Sequence, residues 1–254
     1  MGDIKIQDNS NGRSADFFRG LQVVAFDCDG VLFDSREANV RFYNHIMETI
    51  GHGSVLPEQR EYIHMHPVKE SLRFLLGNGP LYDRAWAYSQ EIDFKDFNAQ
   101  LRVEPCLVEV LRAAKAGYRT ALATNRTIST HAVLAYFHLD QYFDLVVTAS
   151  DVQHPKPHPE AMERIQQAFG VTPDRILYVG DSPVDELFAA SSGVYFAAYK
   201  NPRLKAHLHL THFRELHRRL LGSESPGPGE LPPSCEIGGE ISPDGDPARR
   251  TFRF

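Results

Sequence analysis

The chain has 254 residues, 42% of them apolar and 24% charged, a balance that suits a soluble globular protein with a buried core. Its formal net charge of -6 provides no field that would draw in nucleic acid or an anionic membrane, so neither is expected as a partner. Cys28, Cys106 and Cys235 are too few and too scattered for a disulfide framework, and no Cys-x-x-Cys suggests zinc, so a reducing compartment is expected. The polar start, Met1 to Gly20, holds no signal-peptide run, and no stretch reaches the roughly 18 apolar residues of a membrane span, which points to the cytoplasm.

Residues 1–20 read as a flexible N-terminus. From Leu21 onward short apolar runs alternate with amphipathic segments, the pattern of β-α units in a mostly parallel sheet. The first predicted strand is Leu21 to Asp27. Between it and the second lie about 90 residues, far more than a parallel crossover needs, so something is inserted. Residues 35–101 are helical in pattern, with Tyr43, Ile46, Met47 and Ile50 on one stripe and Val68, Leu72, Leu75 and Leu76 on another. Entering after Asp34 and leaving near Val103, this helical cap would stand over the edge where the first strand ends, as a lid does. Leu107, Val110, Leu111 and Ala114 then form a helix before Gly117. Strands follow at Tyr118 to Thr124, Asp144 to Thr148, Arg175 to Gly180 and Val194 to Tyr199, each short and apolar, as strands covered on both faces should be. Helical spacing recurs in Met162, Ile165, Ala168 and Phe169 before Gly170, and in Val184, Leu187, Phe188 and Ser191 before Gly193. A last strand and helix occupy 208–221, which closes a core of 21–34 and 102–221. The final stretch, 222–254, contains twelve Gly or Pro and reads as a disordered tail. The expected fold class is α/β, a Rossmann-like parallel sheet core flanked by helices, with an inserted all-helical cap.

The first strand runs straight into Asp27-Cys28-Asp29-Gly30, placing two carboxylates at a strand's carboxyl end. In an open α/β sheet ligands bind along that edge, and paired acids there can hold Mg²⁺ while one of them attacks phosphorus. A lone Asp-x-Asp is more often a solvated turn, so the later strands decide. The second strand ends in Thr124-Asn125, whose hydroxyl and backbone amides can bind a phosphoryl oxygen. After the third comes Gln153-His154-Pro155-Lys156-Pro157-His158-Pro159, where flanking prolines stiffen a loop that carries one lysine. That loop suits phosphate, although a surface loop leading into a helix reads the same way. The fourth strand ends in Gly180-Asp181-Ser182-Pro183-Val184-Asp185, supplying two more acids or simply a helix cap. Four strands thus deliver Asp27 and Asp29, Thr124, Lys156, and Asp181 with Asp185 to one edge.

These residues resemble the haloacid dehalogenase superfamily of phosphohydrolases. Asp27-Cys28-Asp29-Gly30-Val31 looks like its first motif, Thr124-Asn125 its second, Lys156 its third, and Gly180 to Asp185 its fourth. The inserted helices resemble the cap of the phosphoglycolate phosphatase and β-phosphoglucomutase branch. The resemblance implies a Mg²⁺-dependent phosphatase acting on a small soluble phosphomonoester, phosphoglycolate-like or a sugar phosphate. Asp27 would be the nucleophile that forms an aspartyl-phosphate, and Asp29 the acid and base. Mg²⁺ would take carboxylate oxygens of Asp27 and Asp181 and the backbone carbonyl of Asp29, with Asp185 supporting from behind. Lys156 would offset the repulsion between anions, and Thr124 would donate to a phosphoryl oxygen.

Substrate would meet Thr124, Asn125 and Lys156, and in the cap His66, Lys69 and Arg73, which read equally well as solvated residues of an amphipathic helix. Asp29 argues against dehalogenation, which needs no proton for its leaving group. No lysine lies between Asp34 and Val68 to form the Schiff base of a phosphonate-cleaving relative, and Lys69 and Lys95 are poorly placed for it. A β-phosphoglucomutase-like isomerase is the alternative enzyme, since Lys69-Glu70-Ser71-Leu72 is loosely like its cap sequence. A noncatalytic binding protein would have lost one of the four motifs. His207, His209, His212 and His217 fit the last strand and helix better than a metal site, and Cys28 reads as a packing residue. Oligomeric state is not legible.

Overall fold

The computed structural model describes residues 17–127 and 129–222. The expectations for the first 16 residues, for the tail beyond Gly222 with Cys235, and for the Lys95 side chain lie outside the described residues. Within the predicted flexible N-terminus, Phe17–Gly20 forms a 3₁₀ turn, pinned because Phe17 stacks on Tyr195 with ring centroids 4.6 Å apart.

Strand β1 (Val23–Phe26) leads into the two-residue β2 (Phe33–Asp34). Helices α1 (Arg36–Thr49), α2 (Arg60–Met65), α3 (Val68–Leu76), α4 (Pro80–Ser89) and α5 (Lys95–Asn98) follow. The chain returns through β3 (Arg102–Val103), which pairs antiparallel with β2 to make a short stem beneath these helices. Next come α6 (Leu107–Gly117), β4 (Arg119–Thr124), α7 (Ser129–Tyr136), β5 (Leu145–Thr148) and α8 (Glu160–Phe169). The chain continues through β6 (Ile176–Gly180), α9 (Pro183–Ser192), β7 (Tyr195–Tyr199), β8 (Leu208–Leu210) and α10 (Phe213–Leu220).

Six strands form one sheet in the order β5-β4-β1-β6-β7-β8, and every neighbouring pair is parallel. Alternate strand residues go to opposite faces. Val24, Phe26, Leu122 and Val179 pack with α6, α7 and α10 on one side, while Val23, Ala25, Ala123 and Tyr178 pack with α8 and α9 on the other. Both faces are therefore covered, which explains the unbroken apolar runs. In this order β4 and β6 lie on either side of β1, so the chain's winding reverses there and a crevice opens at the carboxyl ends of β1 and β6.

The helices between β2 and β3 build an apolar cluster of their own from Phe42, Tyr43, Ile46, Met47, Leu72, Tyr82 and Ala85. Two polar contacts tie them to the sheet edge. Asn125 Nδ2 donates to the carbonyl of Met65 at 2.9 Å, and Arg36 reaches Asp181 at 3.7 Å. Among the described residues no helix is long and apolar enough to cross a membrane. Cys28 is a free buried thiol.

Candidate active site

β1 delivers Asp27 to the crevice by register: its backbone N–H donates to Val179 O of β6 at 2.9 Å, carrying the ladder one residue past the strand. The chain then turns sharply, with the amides of Leu32 and Phe33 returning to the Cys28 carbonyl. Gly30 sits in that turn with φ +82°, and a Cβ there would lie 2.3 Å from Asp181 Oδ2. Only glycine lets the first loop approach the Asp181 carboxylate this closely. Asp181 follows β6, and Asp185 stands in the first turn of α9, where its amide donates to Ser182 Oγ and its carboxylate accepts the Ser182 amide in a reciprocal cap.

The centre of the site is a buried ion cluster. Lys156 Nζ lies 2.8 Å from Asp27 Oδ1 and 2.7 Å from Asp185 Oδ1, and it donates to Tyr178 OH at 2.9 Å. Asn125 holds the lysine's backbone from both sides, Oδ1 accepting from Lys156 N and Nδ2 donating to Lys156 O, each at 3.0 Å. Asp185 is saturated. Lys156 and the Tyr178 hydroxyl reach Oδ1, while Ser182 Oγ and the amides of Asp181 and Ser182 reach Oδ2. Asp27, Asp181 and Asp185 bring their ligand oxygens within 4.8 Å of one another.

The electrostatics follow from this crowding. Burial pushes Asp27 up to about 7; Lys156 opposes the shift and Asp185 adds to it. Burial and then the like charges of Asp185 and Asp27 push Asp181 well above the usual carboxylate range. Burial works against Asp185 too, but Lys156 and the Ser182 and Tyr178 hydroxyls hold it ionised, below its usual value. Lys156 stays charged because Asp185 and Asp27 outweigh its burial. Three buried acids face one buried cation, an imbalance that a second cation would relieve.

The chain belongs to the haloacid dehalogenase-like hydrolases. That family's model matches residues 24–199. A solved haloacid dehalogenase superfamily hydrolase, subfamily IA, variant 1, from Geobacter sulfurreducens is 36% identical, with a TM-score of 0.68 over 80% of this chain and 98% of that one. The pyrophosphatase PpaX of Bacillus cereus is 28% identical over 194 residues, 70% of this chain and 82% of that protein. CbbY from Rhodobacter sphaeroides, solved with phosphate, shares the fold at 22% identity and TM-score 0.66, covering 77% of this chain and 96% of that one. The protein is thus an enzyme, and hydrolysis of the phosphatase class is the activity that its relatives support.

In this hydrolase a cleft of about 770 Å³, part of it open to solvent, joins the acids to the helical segment. Asp27, Asp29, Thr124, Asn125, Lys156, Asp181 and His66 all line it. Lys69 and Arg73 do not. Lys69 lies 5.9 Å from the centre of the Trp86 ring, and Arg73 lies over Tyr82 while donating to Asn78; both side chains are exposed, as solvated residues of an amphipathic helix are. His66 stacks on Tyr62, ring centroids 3.8 Å apart, and is held by the Tyr62 carbonyl. Asp29 points away from the acid cluster to Arg126, 2.9 Å distant. Burial raises the Asp29 carboxyl, but Arg126, His64 and Ser35 overcome that and hold it below its usual value. Cys28 is packed in the core, where burial and Asp29 keep its thiol protonated. His207, His209 and His212 each bond a nearby backbone group.

Three functional candidates escaped the sequence reading. Arg126 follows Asn125 directly and fixes Asp29, while its amide donates to Thr124 Oγ1 at 3.0 Å. Tyr178 supplies a hydroxyl to both Lys156 and Asp185. His64, only 8% exposed, lines the cleft from α2; its Nδ1 takes the Asn39 amide at 3.1 Å, and its Nε2 is buried without a partner. Arg126 was readable from its place at a strand end. His64 carried no such signal.

Proposed function

We propose that the enzyme is a Mg²⁺-dependent phosphatase of small phosphomonoesters, working through a phosphoryl group carried on Asp27. The observation that supports this reading best is the buried Lys156 ammonium held between Asp27 and Asp185 at the sheet's switch point. The acid cluster is an all-oxygen donor set, and its like-charge repulsion suits a hard divalent cation. Asp27 and Asp181 would hold Mg²⁺, with the Asp29 backbone carbonyl; Asp185, already saturated, would orient Lys156 and α9 behind them. Once bound, Mg²⁺ would keep Asp27 ionised and draw charge from the phosphoryl oxygens.

Asp27 would attack phosphorus in line as the ester P–O bond breaks, and Lys156 would balance the charge where two anions meet. Thr124, whose oxygen already accepts from Arg126 N, keeps its O–H to donate to a phosphoryl oxygen. Asp29 would protonate the leaving oxygen and then take a proton from the water that releases phosphate. For the first of these steps Arg126 must loosen its grip on Asp29. The helices between β2 and β3 act as a cap over the reacting groups, and the unpartnered Nε2 of His64 is a donor for an oxygen on the leaving group. Phe42, Phe94 and Phe97 at the cleft wall favour a compact substrate. Lys69, the residue behind the mutase alternative, faces Trp86, so nothing in the site favours that reading.

The test is phosphate release from phosphoglycolate, sugar phosphates and pyrophosphate, with Mg²⁺ and with chelator, beside Asp27→Asn. Release that needs Mg²⁺ and disappears in the variant is expected. Equal inactivity of both proteins on every ester would overturn the reading.

A further inference from the structure

The loop that carries Lys156 has a second, outward face. Lys156 turns inward and is only 5% exposed, whereas His154 and His158, two residues to either side, are exposed on the surface. Their rings lie 4.6 Å apart between centroids. Glu160, at the start of α8, completes the group, and one ligand atom from each of the three lies within 4.8 Å of the others.

Two features distinguish this trio from a chance surface cluster. First, Glu160 is fixed in place. Its carboxylate accepts the backbone amides of Gln153 and His154 at 2.9 to 3.1 Å and Arg164 at 3.3 Å. The amides hold its carboxyl down at about 2, so it is an anion at any physiological pH. Second, the spacing matches a metal's. Two ligands bound at about 2.0–2.2 Å in a tetrahedron stand about 3.3–3.6 Å apart. His154 Nδ1 and Glu160 Oε2 stand 3.3 Å apart as a hydrogen-bonded pair, a separation that an ion replacing the shared proton would keep. His158 is kept in the same corner by its Nδ1, which accepts the Glu160 amide at 3.3 Å.

We propose that His154, His158 and Glu160 form a second metal site, for Zn²⁺ or a similar late transition ion, on the outer face of the Lys156 loop. Imidazole nitrogen selects such ions, whereas Mg²⁺ prefers the all-oxygen cluster inside, so the two sites differ in chemistry as well as place. A bound ion ties His154 and His158 to the first turn of α8. It thereby stiffens the segment from which Lys156 reaches Asp27 and Asp185.

The experiment is calorimetric titration of Zn²⁺ into the full chain at saturating Mg²⁺, with the thermal midpoint followed in parallel. The wild type and Asp181→Asn are expected to bind one equivalent tightly and to melt higher with zinc. His154→Gln/His158→Gln, altered only at exposed side chains, should melt like the wild type without zinc, lose at least tenfold in zinc affinity and lose the zinc-dependent shift. Undiminished affinity in that double variant would overturn the proposal. So would loss of the tight equivalent in Asp181→Asn, because the ion would then belong to the acid cluster. Both readouts are independent of turnover, so they stand or fall apart from the phosphatase reading.

Discussion

The sheet edge and the inserted helices meet at one cleft, yet they position their side chains by different means. At the sheet edge Asp27, Thr124 and Asp181 each stand at or directly after a strand end, and parallel register between neighbours fixes where those ends fall. In the inserted helices Asn39, His64 and His66 line the cleft through contacts between helical residues, the Asn39 amide on His64 and the Tyr62 ring and carbonyl on His66. In the proposed reading the edge carries the reacting groups themselves, whereas the helices supply groups that would meet only the rest of the substrate. Chemistry should therefore fail sharply when the edge is altered, and preference among substrates should drift when the helices are.

Lys156→Met probes the edge hardest. It leaves Asp27 and Asp185 buried without their cation, which costs about 3–5 kcal/mol of stability. Urea unfolding in chelator should show that loss, and phosphate release should vanish. Gly30→Ala comes next, since a Cβ at φ +82° collides with the Asp181 carboxylate. Strain of about 1–2 kcal/mol is expected in the same unfolding measurement, together with weaker Mg²⁺ activation.

On the helical side, His64→Ala removes one donor to the leaving group. Such a hydrogen bond contributes about 0.5–1.5 kcal/mol, so kcat/KM should fall about two- to thirteenfold for an oxygen-rich ester. With p-nitrophenyl phosphate the variant should match the wild type. Lys69→Ala and Arg73→Ala should leave kcat/KM unchanged on both, and a large loss there would move the cleft's boundary.

The smallest effect lies far from the cleft. Burial opposes it, but Lys115 at 2.5 Å and the Thr120 amide at 2.9 Å hold the Asp144 carboxyl below its usual value. Its stabilisation is present above the unfolded value of about 3.9 and is lost as pH falls through the lower folded value. Asp144→Asn should therefore melt slightly below the wild type at pH 7, and the gap should close as the pH falls below that range.

The same contrast explains what could be read from the residues alone. The long strands were legible because each is buried on both faces, and α6, α8 and α9 because a one-sided stripe ends at a glycine or just before one. Helix α7 was missed: in Ser129–Tyr136 apolar residues surround the helix and leave no stripe. The β2–β3 stem was missed because two-residue strands carry no period. Asp27, Lys156, Asp181 and Asp185 stood out by their place after strands. His64 and Tyr178 did not, since one rides a six-residue helix and the other looks like an ordinary core aromatic. Lys69 and Arg73 share the amphipathic helix expected from sequence, but only tertiary packing shows that both face other aromatic rings.

The most direct measurement is to trap the covalent phosphoryl group. Asp29→Asn should slow its hydrolysis, so acid quenching after mixing with substrate and Mg²⁺, followed by peptide mass spectrometry, should find a hydroxylamine-sensitive phosphoryl group on Asp27. Turnover with no such adduct, or with the phosphoryl group on another residue, would contradict the assignment of Asp27 as nucleophile.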